Sequence, residues 1–273
     1  MACIGCVYTV DPHVRTPEEL VATLFRDPDR PRQKPPEARQ KRYWTALTRE
    51  EGGRTVRAQD EVFQHLRDDV ALRRRRRQTV VHLCDGQHSL ETDRHKYLPR
   101  DKRTLDILDL MHVLPRLWEA AHLFQREGSA AASQFVRERL QRVLGGSAGR
   151  VIGGLRQMGT KHGLKGVPRK RLRRLCEFLE GNLHRMHYDE YLRAGYPIAT
   201  GVIEGACRHV IKDRMERAGM RWKVPGAQAM LQLRAIRANG DWRAFQDARI
   251  TQEIARLYPH ANALRNAPWS LAL

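Results

Sequence analysis

Three short segments of this 273-residue chain carry side chains suited to metal-assisted phosphoryl chemistry. In the first, the apolar and β-branched stretch Thr79 to Cys84 runs straight into Asp85 and Gly86, so a carboxylate stands at the carboxyl end of a buried strand with a flexible turn residue behind it. A rigid strand fixes such a ligand, the turn leaves room for a bulky substrate, and Mg2+ or Mn2+ favours one or two carboxylates completed by substrate phosphate. Asp-Gly is also a common way to close a turn, and residue types alone leave both readings open. The second segment, RTLDILDLMHV, contributes Asp106, Asp109 and His112. In a regular strand Asp109 faces away from Asp106 and Leu108, so the two acids cannot serve one site and one of them is structural. The third begins after Pro197, where Thr200 is placed to cap a helix expected to run to about Arg217, with Glu204 in an early turn. Arg208, four residues on, shares the face of Glu204; it suits phosphate, and equally an intrahelical ion pair worth about 0.3 kcal/mol. Ile203, Val210, Ile211 and Met215 form an apolar side that can lie on a sheet.

The charge balance narrows the partner. Lys and Arg number 50 against 31 Asp and Glu, a formal charge of +19. Phosphate backbones reward that surplus through counterion release, which puts nucleic acid first and an anionic membrane surface second. No apolar run reaches the roughly 18 to 20 residues that span a bilayer, and MACIGCVYTV lacks a basic-then-apolar leader pattern, so a cytoplasmic, nucleoid-associated protein is expected. Cys3, Cys6, Cys84, Cys176 and Cys207 are odd in number and scattered, unlike a secreted disulfide framework, and Cys3 and Cys6 have no second pair to complete a zinc site. The run Arg73, Arg74, Arg75, Arg76, Arg77 suits DNA phosphates, since five adjacent like charges are costly unless neutralised; the alternative is a solvated charged face.

The elements that must position these groups follow from local pattern. Cys3 to Val10 reads as a buried strand ending at Asp11-Pro12, and Thr16-Pro17-Glu18-Glu19 as the capped start of a short helix through Phe25. Residues 26 to 40, dense in proline and charge, read as a loop, after which helical patterning resumes through residue 77. Strands are expected at Thr79 to Cys84 and Thr104 to Leu110. Beyond Val113 the pattern is helical almost throughout, punctuated by the glycines of 145 to 154 and the basic segment 159 to 174.

Taken together, the motifs are familiar. ATGVIEGACRHVIKDRMERAGMRW followed by GAQAMLQLRAIRANGDWRAF closely resembles the C-terminal catalytic signature of the ISKra-type insertion-sequence transposases, distant relatives of the Mutator group. HLCDGQHSL with ILDLMHVLPRLWEAAHLF resembles the central signature of that family, and CVYTVDPHVRTPEELVATLF the segment just before it. The resemblance implies an α/β chain with an RNase H-like mixed sheet and a large all-helical insertion, in which an Asp-Asp-Glu triad holds two Mg2+ or Mn2+ ions. Asp85 matches the second Asp and Glu204 the Glu, 119 positions later, which leaves room for the insertion. His112 is implied as a group orienting phosphate, and Arg208 and the arginine run as DNA contacts.

The first Asp of the family belongs to a strand upstream of the segment matched by MACIGCVYTV, so the sheet is expected to be incomplete, its first strand missing, and the chain to be an amino-terminally truncated, inactive fragment. Asp11, a nearby acid, follows the wrong strand to replace it, and Glu91 stands where the family usually has an aromatic residue. The expected organisation is residues 1–112 as core strands and linking helices, 113–195 as the helical insertion, and 196–273 as the Glu204 helix with the C-terminal helices of the core. The expected partners are transposon-end and target DNA, with a homo-oligomer assembled on them and no membrane. Two other functions stay open: a DNA-binding remnant that cannot cut, and an unrelated metal-dependent nuclease using Asp85, Asp109 and Glu204 as its triad.

Overall fold

The computed structural model describes residues 1–30, 34–98, 101–216 and 219–259 of a mixed α/β chain. Strand β1 (Ala2–Thr9) leads through α1 (Pro17–Leu24) to β2 (Arg39–Leu47), the hairpin β3 (Arg49–Glu51) and β4 (Arg54–Val56), and α2 (Ala58–Arg73). Next come β5 (Val80–Cys84), α3 (His88–Tyr97) and β6 (Thr104–Leu108), then the helices α4 (Leu110–Ala121), α5 (Ala130–Leu144), α6 (Ala148–Lys161), α7 (Gly166–Gly181) and α8 (Tyr188–Arg193). After α9 (Gly201–Ala206), a π-helical stretch Cys207–Lys212 and α10 (Asp213–Met215), the chain ends its described part with α11 (Val224–Ala238) and α12 (Trp242–Leu257).

Local chemistry explains several of these boundaries. Thr16 accepts from the Glu19 backbone while the Glu19 carboxylate accepts from the Thr16 backbone, a reciprocal capping box that starts α1 where its sequence indicates. Asp109 caps α4 and Ser129 caps α5. Three expectations are corrected. The segment after residue 40 is a strand, not a helix, and α2 stops at Arg73, before the rest of the arginine run. The glycines at 149, 153 and 154 lie inside α6 rather than breaking the helical block, which begins already at Leu110. The expected end of the Glu204 helix at Arg217 lies outside the described residues, the helical path being described through Met215.

The strands pair as three two-stranded ladders: β1–β2 and β3–β4 antiparallel, β5–β6 parallel. A single mixed sheet with the Asp85 strand in its middle is therefore not formed among the described residues. The outer edge of β2 is closed by α11, where Gln228 accepts from the Leu47 N–H (2.7 Å) and Asn239 both accepts from and donates to the Tyr43 backbone. The outer edge of β6 is closed by α8, through the Tyr188 hydroxyl on the Leu108 carbonyl (2.7 Å) and Tyr191 on that of Asp106. The other edges of β1 and β5 pair with no described strand.

Two cores hold these pieces. The larger joins Val21 of α1 and Ile107 and Leu108 of β6 to apolar faces of α4 through α8, with Leu117, Leu140, Leu155 and Leu179 fully buried. The smaller packs Ala46, Ala58 and Val62, with Cys3, Trp44 and Leu66 against them, between the β1–β2 ladder and α2. Each fully buried leucine contributes about 2 kcal/mol, so the helical block and β6 are fastened as one unit.

Candidate functional site

Asp85 leaves the carboxyl end of β5 half-buried, and its Oδ1 accepts from the Gln87 N–H at 2.8 Å. That bond closes an Asx-type turn, so the turn reading of Asp85 is realised while its second oxygen accepts from no described residue. Gly86 is required twice over: its φ is +86°, and a Cβ there would lie 2.9 Å from Leu108 and from the Phe178 ring of α7. The turn that carries Asp85 is thus pressed against the helical core.

Asp109 occupies the matching position after β6, 1% exposed, its N–H bonded to the Cys84 carbonyl at 2.8 Å. Its Oδ1 accepts from the Met111 N–H (2.8 Å), and its Oδ2 from the Thr200 N–H (3.2 Å) and the Thr200 hydroxyl. With both oxygens engaged, Asp109 is a structural carboxylate, as the strand period requires of one of the two acids. What it builds is the approach to Glu204: Thr200 immediately precedes α9, and the Leu110 N–H holds the Ile198 carbonyl at 2.9 Å. Thr200 stands at the cap position but gives its hydroxyl to Asp109 and makes no side-chain bond to the helix. Glu204, exposed in α9, is therefore tied to the sheet end from which Asp85 emerges, and exposed His112 stands there too, in the first turn of α4.

The Cys3 thiol of β1 is pushed up to about 11 by burial and by the negative charge of Asp93, Cys207 and Asp85, and that of Cys207 is raised by burial and by Glu204 against the opposing pull of Lys212. α9, the helix of Glu204, packs against β1, the strand of Cys3. Asp93 is 2% exposed and held by Arg57 at 2.9 Å, so it answers a structural charge. The helix beyond Glu204 widens into its π stretch, which breaks the four-residue alignment; no ion pair joins Glu204 to Arg208 among the described residues. Arg208 points to solvent, while Arg234 of α11 donates to the Val210 carbonyl at 2.8 Å.

The remaining acids belong to the scaffold. Asp106 faces His82 across the β5–β6 ladder (3.0 Å) and Arg94 from α3 (2.8 Å); burial alone would raise its carboxyl, but the His82 hydrogen bond and the Arg94 charge hold it below the usual range. Glu91 takes His184 at 3.1 Å and Arg185 at 3.3 Å, fastening α3 to the turn after α7 by charge. Asp11 pairs with Arg39 at 2.7 Å on the surface.

The arginine run lies at the amino end of β5. Gln78, Thr79 and the five residues of β5 separate it from Asp85, and the strand alone spans about 16 Å. Arg73 is bound to Asp69 (2.7 Å) and Arg74 to Asp101 (2.6 Å), whereas Arg75, Arg76 and Arg77 are exposed and form no ion pair with a described residue. With Lys102 and Arg103, Arg75 and Arg76 border a cleft of about 500 Å³; these two further cations escape the sequence reading although DKR precedes β6 as the arginines precede β5. Among the described residues no three His, Cys, Asp or Glu side chains gather closely enough to hold a metal ion. Asp85 and Glu204 are hard oxygen donors of the kind Mg2+ and Mn2+ prefer, and would supply two ligands beside water and phosphate. No family model, no curated protein and no solved structure matches the chain.

Proposed function

We propose that this chain is the catalytic-core portion of an ISKra-type DNA transposase with an RNase H-like architecture, in which Asp85 and Glu204 are metal-ligating carboxylates. The observation that carries this reading is the Asp109–Thr200 connection: it brings the Glu204 helix to the carboxyl end of β5, across 119 positions of sequence, where neither a turn aspartate nor a surface glutamate has reason to be. Carboxyl ends of parallel strands are where open α/β sheets place their chemistry. An RNase H-like sheet also requires one further strand, carrying the third carboxylate, between β1 and β5. Those are the two edges without a described partner, whereas the β2 and β6 edges are closed by side chains.

Divalent ions held by Asp85 and Glu204 would, when bound, polarise a water or 3′-hydroxyl for attack and offset the negative charge of the phosphodiester under attack. The chain's own contribution is positional. The β5 strand and the tight Gly86 turn aim Asp85, the Asp109 bonds orient Glu204, and the exposed His112 and Arg208 side chains are available to phosphate oxygens. Arg75, Arg76 and Arg77 precede the far end of β5 from Asp85, so they would contact duplex away from the reacting phosphate rather than beside it. A DNA-binding remnant without turnover keeps the same surface and lacks the metal response. A nuclease built on Asp85, Asp109 and Glu204 is disfavoured because both Asp109 oxygens are already bonded.

The test is Mn2+ binding followed by electron paramagnetic resonance of the free ion. Asp85→Asn and Glu204→Gln should each weaken binding at least about ten-fold, the loss of one charged ligand, while both remain folded and bind duplex DNA as the parent does. Equal Mn2+ affinity in the parent and both variants would remove the metal assignment.

A further inference from the structure

Many arginines of the chain are answered by a carboxylate: Arg42 by Asp241, Arg49 by Glu61, Arg137 by Asp27, Arg156 by Glu180. The groove between α5 and α6 is different. Arg139, Arg142, Arg150 and Lys161 line its space of about 320 Å³, and among the described residues no acid and no aromatic ring lines it with them. Arg142, Arg150 and Lys161 are exposed and form no ion pair with a described residue. Arg139 is held in place, its guanidinium 3.3 Å above the Phe135 ring and bonded to the Phe135 carbonyl. Four unneutralised cations in one groove repel one another unless a polyanion lies among them.

The helix itself is shaped for close approach. Arg150, Gly154, Gln157 and Lys161 recur at intervals of four, three and four, one stripe along α6 about 16 Å long at 1.5 Å per residue. A Cβ on Gly154, or on Gly149 and Gly153, would meet no atom within 4 Å, so no packing demands glycine at these helical positions, where alanine favours the helix. Gly154 keeps the face low between its cations.

We propose that the α5–α6 groove is a second DNA-binding surface, gripping the sugar–phosphate backbone of duplex DNA without reading its sequence. The groove stands apart from the Asp85–Glu204 site, and its assignment does not depend on the transposase reading. Single strands are bound on aromatic platforms, which the groove lacks among the described residues, and a rigid stripe of spaced cations matches a rigid duplex.

The full chain is titrated with a fluorescein-labelled 25-base-pair duplex of arbitrary sequence across salt concentrations, beside the variants R142Q/R150Q/K161Q and R75Q/R76Q/K102Q. Three lost phosphate contacts at about 0.9 each lower the slope of log K against log salt by about 2.7 in the groove variant, with affinity near 0.1 M salt at least about ten-fold weaker for any duplex sequence. R142K/R150K should bind as the parent does, and melting should be unchanged. A groove variant with the parent's slope and affinity overturns the proposal, even where the other triple variant binds poorly and DNA binding by the chain stands. Tighter binding of single-stranded DNA or of duplex RNA than of duplex DNA overturns it as well.

Discussion

Replacing Asp109 by alanine removes the acceptor of three hydrogen bonds at a position 1% exposed to solvent. Loss of the α4 cap costs about 1 kcal/mol. The two Thr200 donors lose a charged acceptor, at about 1.5 kcal/mol each. The sum is about 4 kcal/mol, a large part of the 5–15 kcal/mol typical of a folded chain. At about 2–4 °C per kcal/mol the midpoint should drop by roughly 8–16 °C, read by circular dichroism at 222 nm. The local effect is more diagnostic: with Thr200 released, amides of residues 201–206 should lose hydrogen-exchange protection before the α4–α8 core does. Thr200→Val, which deletes only the hydroxyl, should cost about 1 kcal/mol, and adding it to Asp109→Ala should cost less than the sum. Asp109→Ala melting within about 2 °C of the parent, with unchanged exchange over 201–206, would refute the view that this carboxylate organises the Glu204 helix. Mn2+ binding lost in Asp109→Asn but kept in Thr200→Val would make Asp109 a ligand instead.

Gly86→Ala combines a left-handed φ of +86° with a Cβ 2.9 Å from Leu108 and Phe178, and should destabilise the chain by about 2–4 kcal/mol in a urea titration; a neutral result would show that the Asp85 turn is looser than described. Asp106 and Glu91 are held below the ordinary carboxylate range, against the effect of burial, by His82 and Arg94 and by Arg185 and His184 respectively. A depressed carboxyl contributes its stability above the unfolded value near 4 and loses it as pH falls through the folded value, so the melting temperature should fall below about pH 4, less steeply in Asp106→Asn. An identical acid limb in that variant would contradict this assignment. Cys3 and Cys6, pushed up to about 11 and about 12 chiefly by burial, are almost wholly protonated at pH 8; native labelling by a disulfide reagent should be slow and quicken with rising pH, and fast labelling near neutrality would count against the burial of β1.

Elements written in local chemistry are legible in the sequence itself. β1 and the Thr16–Glu19 capping box emerge from composition and spacing, as do β5 running into Asp85 and Gly86, β6, and the helices after it, because each depends on residues within about four positions. β2 escapes such a reading because Arg39–Leu47 opens with charge; its aromatic residues become strand residues only through β1 on one side and α11 on the other. α3 escapes it because the helix has no apolar period: Asp93, Arg94 and Glu91 attach it through ions to α2, β6 and the turn after α7.

For the candidate site, the sequence by itself determined which groups exist and that Asp106 and Asp109 must part company, since alternation in a strand is a property of the backbone. Tertiary structure made both structural: Asp109 meets Thr200 across 91 positions, and Asp106 meets Arg94 and His82. It also divided the arginine run, because Asp69 and Asp101 neutralise Arg73 and Arg74 and leave Arg75, Arg76 and Arg77 open. A carboxylate's role depends on the donors within about 3 Å of it, and for Asp109 and Asp106 those donors come from chain segments whose approach no local pattern encodes.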